Sequence, residues 1–308
     1  MAGALSHIRV LDMSRVLAGP WSGQCLADLG ADVIKVERPQ VGDESRTWGP
    51  PWVQDGEGRD TSDSTYYTSA NRNKRSITVD IARPEGQALI RELVAQSDVL
   101  IENYKVGDLA RYGLGYAQLS EINPKLIYCS VTGFGQSGPA AQRPGYDFIF
   151  QGEGGLMSIT GERDDLPGGG PQKVGIAVTD ILTGLNATVA ILAALENRHI
   201  SGHGQYIDMA LMDTIVAFGA NQIAGFLATG KVPGRHGNAH PNVAPYSVFR
   251  TADGHMIIGC GNQGQWEKLC GAIGRSDLPA DPRFADMPKR NSHRPALTQE
   301  LERTLTTE

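Results

Sequence analysis

A chain of 308 residues that is 40% hydrophobic and 20% charged carries enough apolar material for one or two soluble domains. Its 34 acidic against 28 basic side chains give a formal charge of −6, and the one compact basic run is Arg72-Asn73-Lys74-Arg75, so the cationic footprint of a nucleic-acid binder is missing. The longest apolar run, 187–195, falls short of the roughly 20 residues that cross a bilayer, so neither a membrane nor a nucleic acid is an expected partner.

The N-terminal residues show neither signal nor transit character, and four cysteines without a Cys-x-x-Cys pair suit a reducing compartment, so a cytoplasmic protein is expected. The apolar runs Ile8-Arg9-Val10-Leu11 and Val33-Ile34-Lys35-Val36 flank Gly19-Pro20 and a helical pattern with Trp21, Cys25, Leu26 and Leu29 on one face. That order reads as a parallel βαβ unit. Ile77, Val79 and Ile81 then alternate as a strand, and Pro84 opens a helix at the turn where its missing N–H costs nothing. Leu89, Ile90, Leu93 and Val94 form the apolar face of that helix. Val99-Leu100-Ile101 and Leu126-Ile127-Tyr128 read as buried strands around a short helix at 116–122. The predicted fold is an open, mostly parallel, Rossmann-like α/β sheet with helices on both faces.

Glycine and charge dominate 152–171. A long helix is predicted over 180–199, closed by Ser201-Gly202, and a second over 209–228. Residues 230–246 read as a Gly/Pro-rich linker. Beyond it, 247–250 and 255–258 flank Asp253-Gly254, a strong hairpin signal. The predicted domains are a large one at 1–229 and a smaller α+β domain at 247–308.

In an open α/β sheet, ligands bind beyond the carboxyl ends of the strands. The loop 14–20 lacks the Gly-x-Gly-x-x-Gly spacing of a dinucleotide site, and neither a phosphate-binding Gly-x-x-x-x-Gly-Lys-Ser/Thr nor a Gly-x-Ser-x-Gly elbow occurs. Glu37-Arg38, at the end of the second strand, suits a ribose and a phosphate or is a solvated charge pair. The histidines at a spacing of four, 199/203 and 236/240, lie in Gly/Pro-rich breaks, so no catalytic metal is expected. Asp180 is the most informative carboxylate because it stands where a loop gives way to the long helix. It can be an N-cap, or an ionised nucleophile held in its charged form by the helix N-terminus.

Ordered motifs resolve more than position does. Val10-Leu11-Asp12 with Leu17-Ala18-Gly19-Pro20, Gly30 through Glu37, Asn73-Lys74-Arg75-Ser76, Glu102-Asn103-Tyr104, Thr132-Gly133-Phe134-Gly135 and Thr179-Asp180 with Thr183-Gly184 resemble the class III coenzyme A transferases, the family of formyl-CoA transferase and carnitine CoA-transferase. Arg46-Thr47-Trp48-Gly49-Pro50-Pro51 and Ile127-Tyr128-Cys129-Ser130 are most similar to its succinate–hydroxymethylglutarate CoA-transferase branch, which implies dicarboxylate substrates.

The resemblance implies that Asp180 attacks an acyl-CoA thioester to form an aspartyl anhydride, then an aspartyl-CoA thioester that an acceptor carboxylate opens. CoA is then a substrate, and no resident cofactor or metal is implied. The CoA contacts it implies are Leu17 and Ala18 near the reacting end, Arg38 and Arg111 at the phosphates, Val79 beside the adenine and Asn103-Tyr104 along the pantetheine, with Val16, Thr132 and Phe134 in the same set. Gly259, Gly261 and Asn262 match a mobile glycine-rich loop over the site or form an ordinary strand-to-helix turn. Arg46 and Arg72 are candidates for the far carboxylate of a dicarboxylate, or are surface charges. Related acyl-CoA racemases hold a histidine where this chain has Tyr146, a poor base for an α-proton, so racemase activity is the alternative reading, beside a CoA-binding fragment without turnover. Family members form interlocked homodimers and run on past this length, returning to the first domain; this chain is expected to be a short form.

Overall fold

Val10, Leu11, Val33, Val36, Val99, Leu100, Ile101 and Ile127 are all buried, as strands covered on both faces require. The computed structural model describes residues 3–307. In chain order it contains β1 (Arg9–Asp12), α1 (Ala18–Asp28), β2 (Asp32–Glu37), a 3-10 turn (Glu44–Thr47), β3 (Trp52–Gln54), β4 (Asp60–Ser64), α2 (Thr65–Ser69), β5 (Lys74–Thr78), α3 (Pro84–Val94), β6 (Val99–Glu102), α4 (Asp108–Arg111), α5 (Tyr116–Ile122) and β7 (Ile127–Thr132). There follow α6 (Asp147–Glu153), α7 (Leu156–Ile159), α8 (Val178–Ser201), β8 (Tyr206–Ala210), α9 (Leu211–Phe218), α10 (Ala220–Thr229), β9 (Tyr246–Arg250), β10 (His255–Gly259), α11 (Gln263–Ala272), α12 (Met287–Ser292) and α13 (Arg294–Leu305). Two compact units result: the chain through Leu156 with Lys173–Lys231, and Met157–Gln172 with the chain from Val232 on.

The first unit is built on a six-stranded sheet in the order β5-β2-β1-β6-β7-β8, every pairing parallel. The α/β expectation holds, and the order reverses between β1 and β6, where such sheets open a crevice beyond the strand ends. One face is covered by α3, α4 and α5, whose Ile90, Val94, Leu109 and Leu119 pack with Leu11, Leu100 and Tyr128. The other face carries α1 and α8, which make the largest helix–helix interface of the unit. That interface is built from small side chains: Ser22 and Gly23 on α1, and Thr183, Gly184, Ala187 and Thr188 on α8, are buried. Two ion pairs lie beneath the strand ends, Lys74–Asp12 at 2.8 Å and Lys35–Asp43 at 2.9 Å, all four side chains at most 2% exposed.

Several sequence expectations are corrected. The strand after Arg72 is 74–78, so Val79 and Ile81 lie past its end, with the Val79 N–H donating to the Glu37 carbonyl. The helix predicted over 209–228 is three elements, because 206–210 pairs with β7 as a sixth strand and Ala220, at φ +41°, bends the rest by 82° into α9 and α10. On α1 Cys25 is half-exposed, and Leu29, just past its end, is exposed, since close approach to α8 turns the small residues inward instead. By length and composition α8 is apolar enough to cross a membrane, which the run 187–195 alone did not suggest; its Thr183, Ala187 and Ile191 are buried as in a core helix.

In the second unit β9 and β10 form the expected antiparallel hairpin, His255 opposite Arg250. Its core gathers Phe249, Trp266, Phe284, Leu297 and Leu301. Arg290 is fully buried there, donating to the carbonyls of Ala244 at 2.8 Å and Phe284 at 3.1 Å.

Candidate active site

The loops that leave β1, β6 and β7 enclose a cavity of about 450 Å³. Arg15, Val16, Leu17 and Ala18 come from the first loop and the start of α1, Asn103 to Val106 from the second, Thr132 and Gly133 from the third, and Asp180 from the start of α8. A second cavity of about 390 Å³ lies beyond the end of β2, lined by Arg38, Val79, Ile81, Asp108 and Tyr112. Arg15, Glu44 and Tyr104 line both, so the two are contiguous. Arg15 pairs with Glu44 at 2.7 Å, and its guanidinium carbon lies 5.0 Å from the centre of the Tyr104 ring.

Asp180 occupies the first turn of α8, but Ala177 is the cap residue and no side chain in the cap position bonds the helix. Capping comes from 33 residues away: Asp147 Oδ1 accepts the N–H of Thr179 at 2.7 Å and of Asp180 at 3.3 Å. Gln151 holds Asp147 in place, donating to its Oδ2 at 2.6 Å and accepting from the Val174 N–H at 2.8 Å. The cap role of Asp180, and the helix start as the source of its charge, are thereby corrected. Asp180 is not the cap, and it is not held ionised by the helix start, because Asp147 has taken those donors. Burial, reinforced by the Asp147 charge, pushes the Asp180 carboxyl up to about 7.

The expected consequence is measurable without any assay of turnover. In wild-type protein the Asp180 carboxyl carbon, followed by 13C NMR, should titrate near 7. In Asp147→Asn, whose amide oxygen can still cap, the midpoint should fall by about half to one pH unit as the repulsive charge leaves. An unmoved midpoint would show that Asp147 contributes nothing to it.

Comparison with known proteins identifies the scaffold. Residues 5–308 match the model of CoA-transferase family III. The chain belongs to that family. Among its family III relatives, succinate–glutarate CoA-transferase of Agrobacterium fabrum is 53% identical over 295 residues, covering 96% of this chain and 72% of the relative. Human succinyl-CoA:glutarate CoA-transferase is 46% identical over 275 residues, covering 89% and 60%. Succinyl-CoA:mesaconate CoA-transferase of Haloarcula hispanica is 42% identical over 303 residues, covering 97% and 74%. The chain therefore spans between 60% and 74% of the length of these three. Among solved structures, a CaiB/BaiF family protein from Brucella suis is 51% identical and superposes with a TM-score of 0.84 over 99% of this chain and 79% of that one.

Within this family III fold, the structure brings Val16, Leu17, Ala18, Asn103, Tyr104, Thr132 and Asp180 to one cavity, and Arg38 and Val79 to the other. Arg111 lines neither; it is exposed on α4 and pairs with Asp108 at 2.6 Å. Phe134 also lines neither: it packs on Phe150 at 5.2 Å beneath the Arg143 guanidinium. Arg46 faces inward, bonding both oxygens of Glu37 at 2.7 Å and Asp63 at 2.6 Å, which leaves it no fork for a substrate. Arg72 is on the surface, bonded to Asp28. Gly259, Gly261 and Asn262 form the turn from β10 to α11 in the second unit, with Asn262 capping the helix through the Gln265 N–H at 3.0 Å. The cations that do line the Asp180 cavity are Arg15, Lys105 and Arg143. Sequence reasoning did not single them out, and their one signal was placement in loops after strand ends.

Proposed function

We propose that this chain transfers CoA from a dicarboxylyl-CoA to a dicarboxylic acid through Asp180. The observation that carries the reading is the Asp180 carboxyl at the wall of a cavity shared with the uncapped start of α1 and continuous with a chamber holding Arg38. An ionised Asp180 oxygen attacks the thioester carbonyl carbon, the C–S bond breaks, and CoA leaves as thiolate. The N–H groups opening α1 stabilise charge developing beside Leu17 and Ala18. The thiolate then attacks the aspartyl carbonyl of the anhydride, the donor acid departs as carboxylate, and Asp180 becomes a thioester. An acceptor carboxylate reverses both steps and restores Asp180. No proton, electron or phosphate is consumed, so one carboxylate suffices. Dicarboxylates are favoured by the names of the relatives and by Lys105 at the cavity wall, where Arg15 is paired with Glu44 and Arg143 with Glu153.

The nucleophile is the ionised form, so the rate of acylation should rise with pH through about 7 and level off above it. Arg38 matches a phosphate bidentately. Arg38→Ala should therefore raise the KM for acyl-CoA about tenfold, with kcat changed far less; a change confined to kcat would place Arg38 elsewhere. The resemblance further implies a homodimer, and exposed Leu185 and Val189 on α8 are consistent with a covered face there.

The test is an acceptor screen read by mass with succinyl-CoA as donor. New CoA thioesters of glutarate and other dicarboxylates are expected. Equal transfer to monocarboxylates would contradict the substrate class, and α-proton exchange with deuterated water in the absence of acceptor would favour a racemase instead.

A further inference from the structure

The loop that leaves β1 is held by side chains at three consecutive residues. The Ser14 carbonyl accepts from Lys35 Nζ at 2.9 Å. The Arg15 N–H donates to Asn103 Oδ1 at 2.8 Å, while its carbonyl accepts from Asn103 Nδ2 at 2.7 Å. The Val16 N–H donates to both Asp43 carboxylate oxygens at 3.2 Å. Lys35 and Asp43 are themselves an ion pair, with side chains 1% and 0% exposed. Asp43 is fixed in turn, its own N–H donating to Glu37 Oε2 at 2.9 Å and its carboxylate accepting from the N–H and hydroxyl of Ser45.

The backbone needs that grip. Val16 sits at φ +70°, the left-handed region, which a β-branched residue enters only when its surroundings impose it. Two residues later the chain starts α1, and Leu17 and Ala18 line the cavity beside Asp180. If Val16 returned to negative φ, the path into α1 and both of those residues would move.

We propose that Asp43, acting with Lys35 and Asn103, is a positioning residue: it holds Val16 left-handed so that the start of α1 meets the reacting end of the acyl-CoA. This rests on the acyl transfer proposed above, whose own failure would appear as an inert wild type with intact CoA binding.

The test is a rescue. Asp43→Asn should lower kcat about tenfold or more and raise the KM for acyl-CoA far less, because Asp43 also borders the chamber of Arg38 and Val79 but with a side chain 0% exposed. Glycine enters positive φ without steric cost, so Val16→Gly added to Asp43→Asn should raise kcat about fivefold, while the same change in the wild-type background brings no increase. A purely structural Asp43 would not be rescued by a change at Val16. No recovery in the double variant, equal gains in both backgrounds, or a loss expressed mainly in KM would each overturn the proposal. Should Asp43→Asn not fold by circular dichroism, Ser45→Ala, which lines neither cavity and removes the 2.7 Å hydroxyl bond to the Asp43 carboxylate, carries the same comparison with a smaller loss of kcat.

Discussion

Asp180→Asn is expected to bind CoA, fold normally and exchange labelled succinate into succinyl-CoA at least about 10⁴-fold more slowly than wild type, since an amide cannot become the acyl carrier. Stability should move the other way. A carboxyl whose value rises from 3.8 to about 7 on folding weakens the native state increasingly as pH climbs between those values, because the unfolded chain ionises it more readily. The asparagine variant should therefore melt above wild type at pH 8, and the gap should close toward pH 4. A variant that melts lower at pH 8 and higher at pH 4 would reverse the electrostatic assignment.

Gly184→Ala is expected to be as damaging to the scaffold as Asp180→Asn is to the chemistry. A Cβ placed on Gly184 would lie 2.6 Å from the Ala18 carbonyl oxygen and 2.8 Å from Trp21 Cβ. Neither is the free end of a flexible side chain, so α1 and α8 must separate. A helical glycine replaced by alanine would otherwise gain about 1 kcal/mol; here a net loss of about 3 kcal/mol is expected, which lowers the Tm by roughly 6–12 °C. Activity should fall too, because the starts of these two helices bring Ala18 and Asp180 to the wall of one cavity. Gly271→Ala on α11, with open space at that position, is the control and should be neutral or stabilising. Equal melting temperatures for both alanine variants would refute tight α1–α8 packing.

Legibility in the sequence followed the range of the forces involved. Continuous apolar runs gave the buried strands, since burial on both faces leaves that pattern within four to six residues. Ser64, Asn262 and Asp286 cap their own helices and so are visible locally. Asp147 caps α8 from another element, and nothing in its neighbourhood announces the distance it spans. Met209 and Ala210 read as the start of a helix and instead close the strand 206–210, because β7 offers an open edge. Among arginines the sequence is equally mute: Arg46 is spent on buried Glu37, whereas Arg15 faces the cavity, and only the fold decides which. Glu102 belongs to a sequence motif; the structure buries it, so that desolvation pushes its carboxyl up to about 7, and it accepts the Tyr104 N–H at 2.7 Å.

The most direct measurement is to incubate the protein with succinyl-CoA and hydroxylamine, digest it and locate the modified peptide by mass. A hydroxamate on Asp180, formed only when acyl-CoA is present and absent from Asp180→Asn, is the expected result. An adduct on any other residue, or continued exchange by an enzyme that never acquires one, would contradict acyl transfer through that side chain.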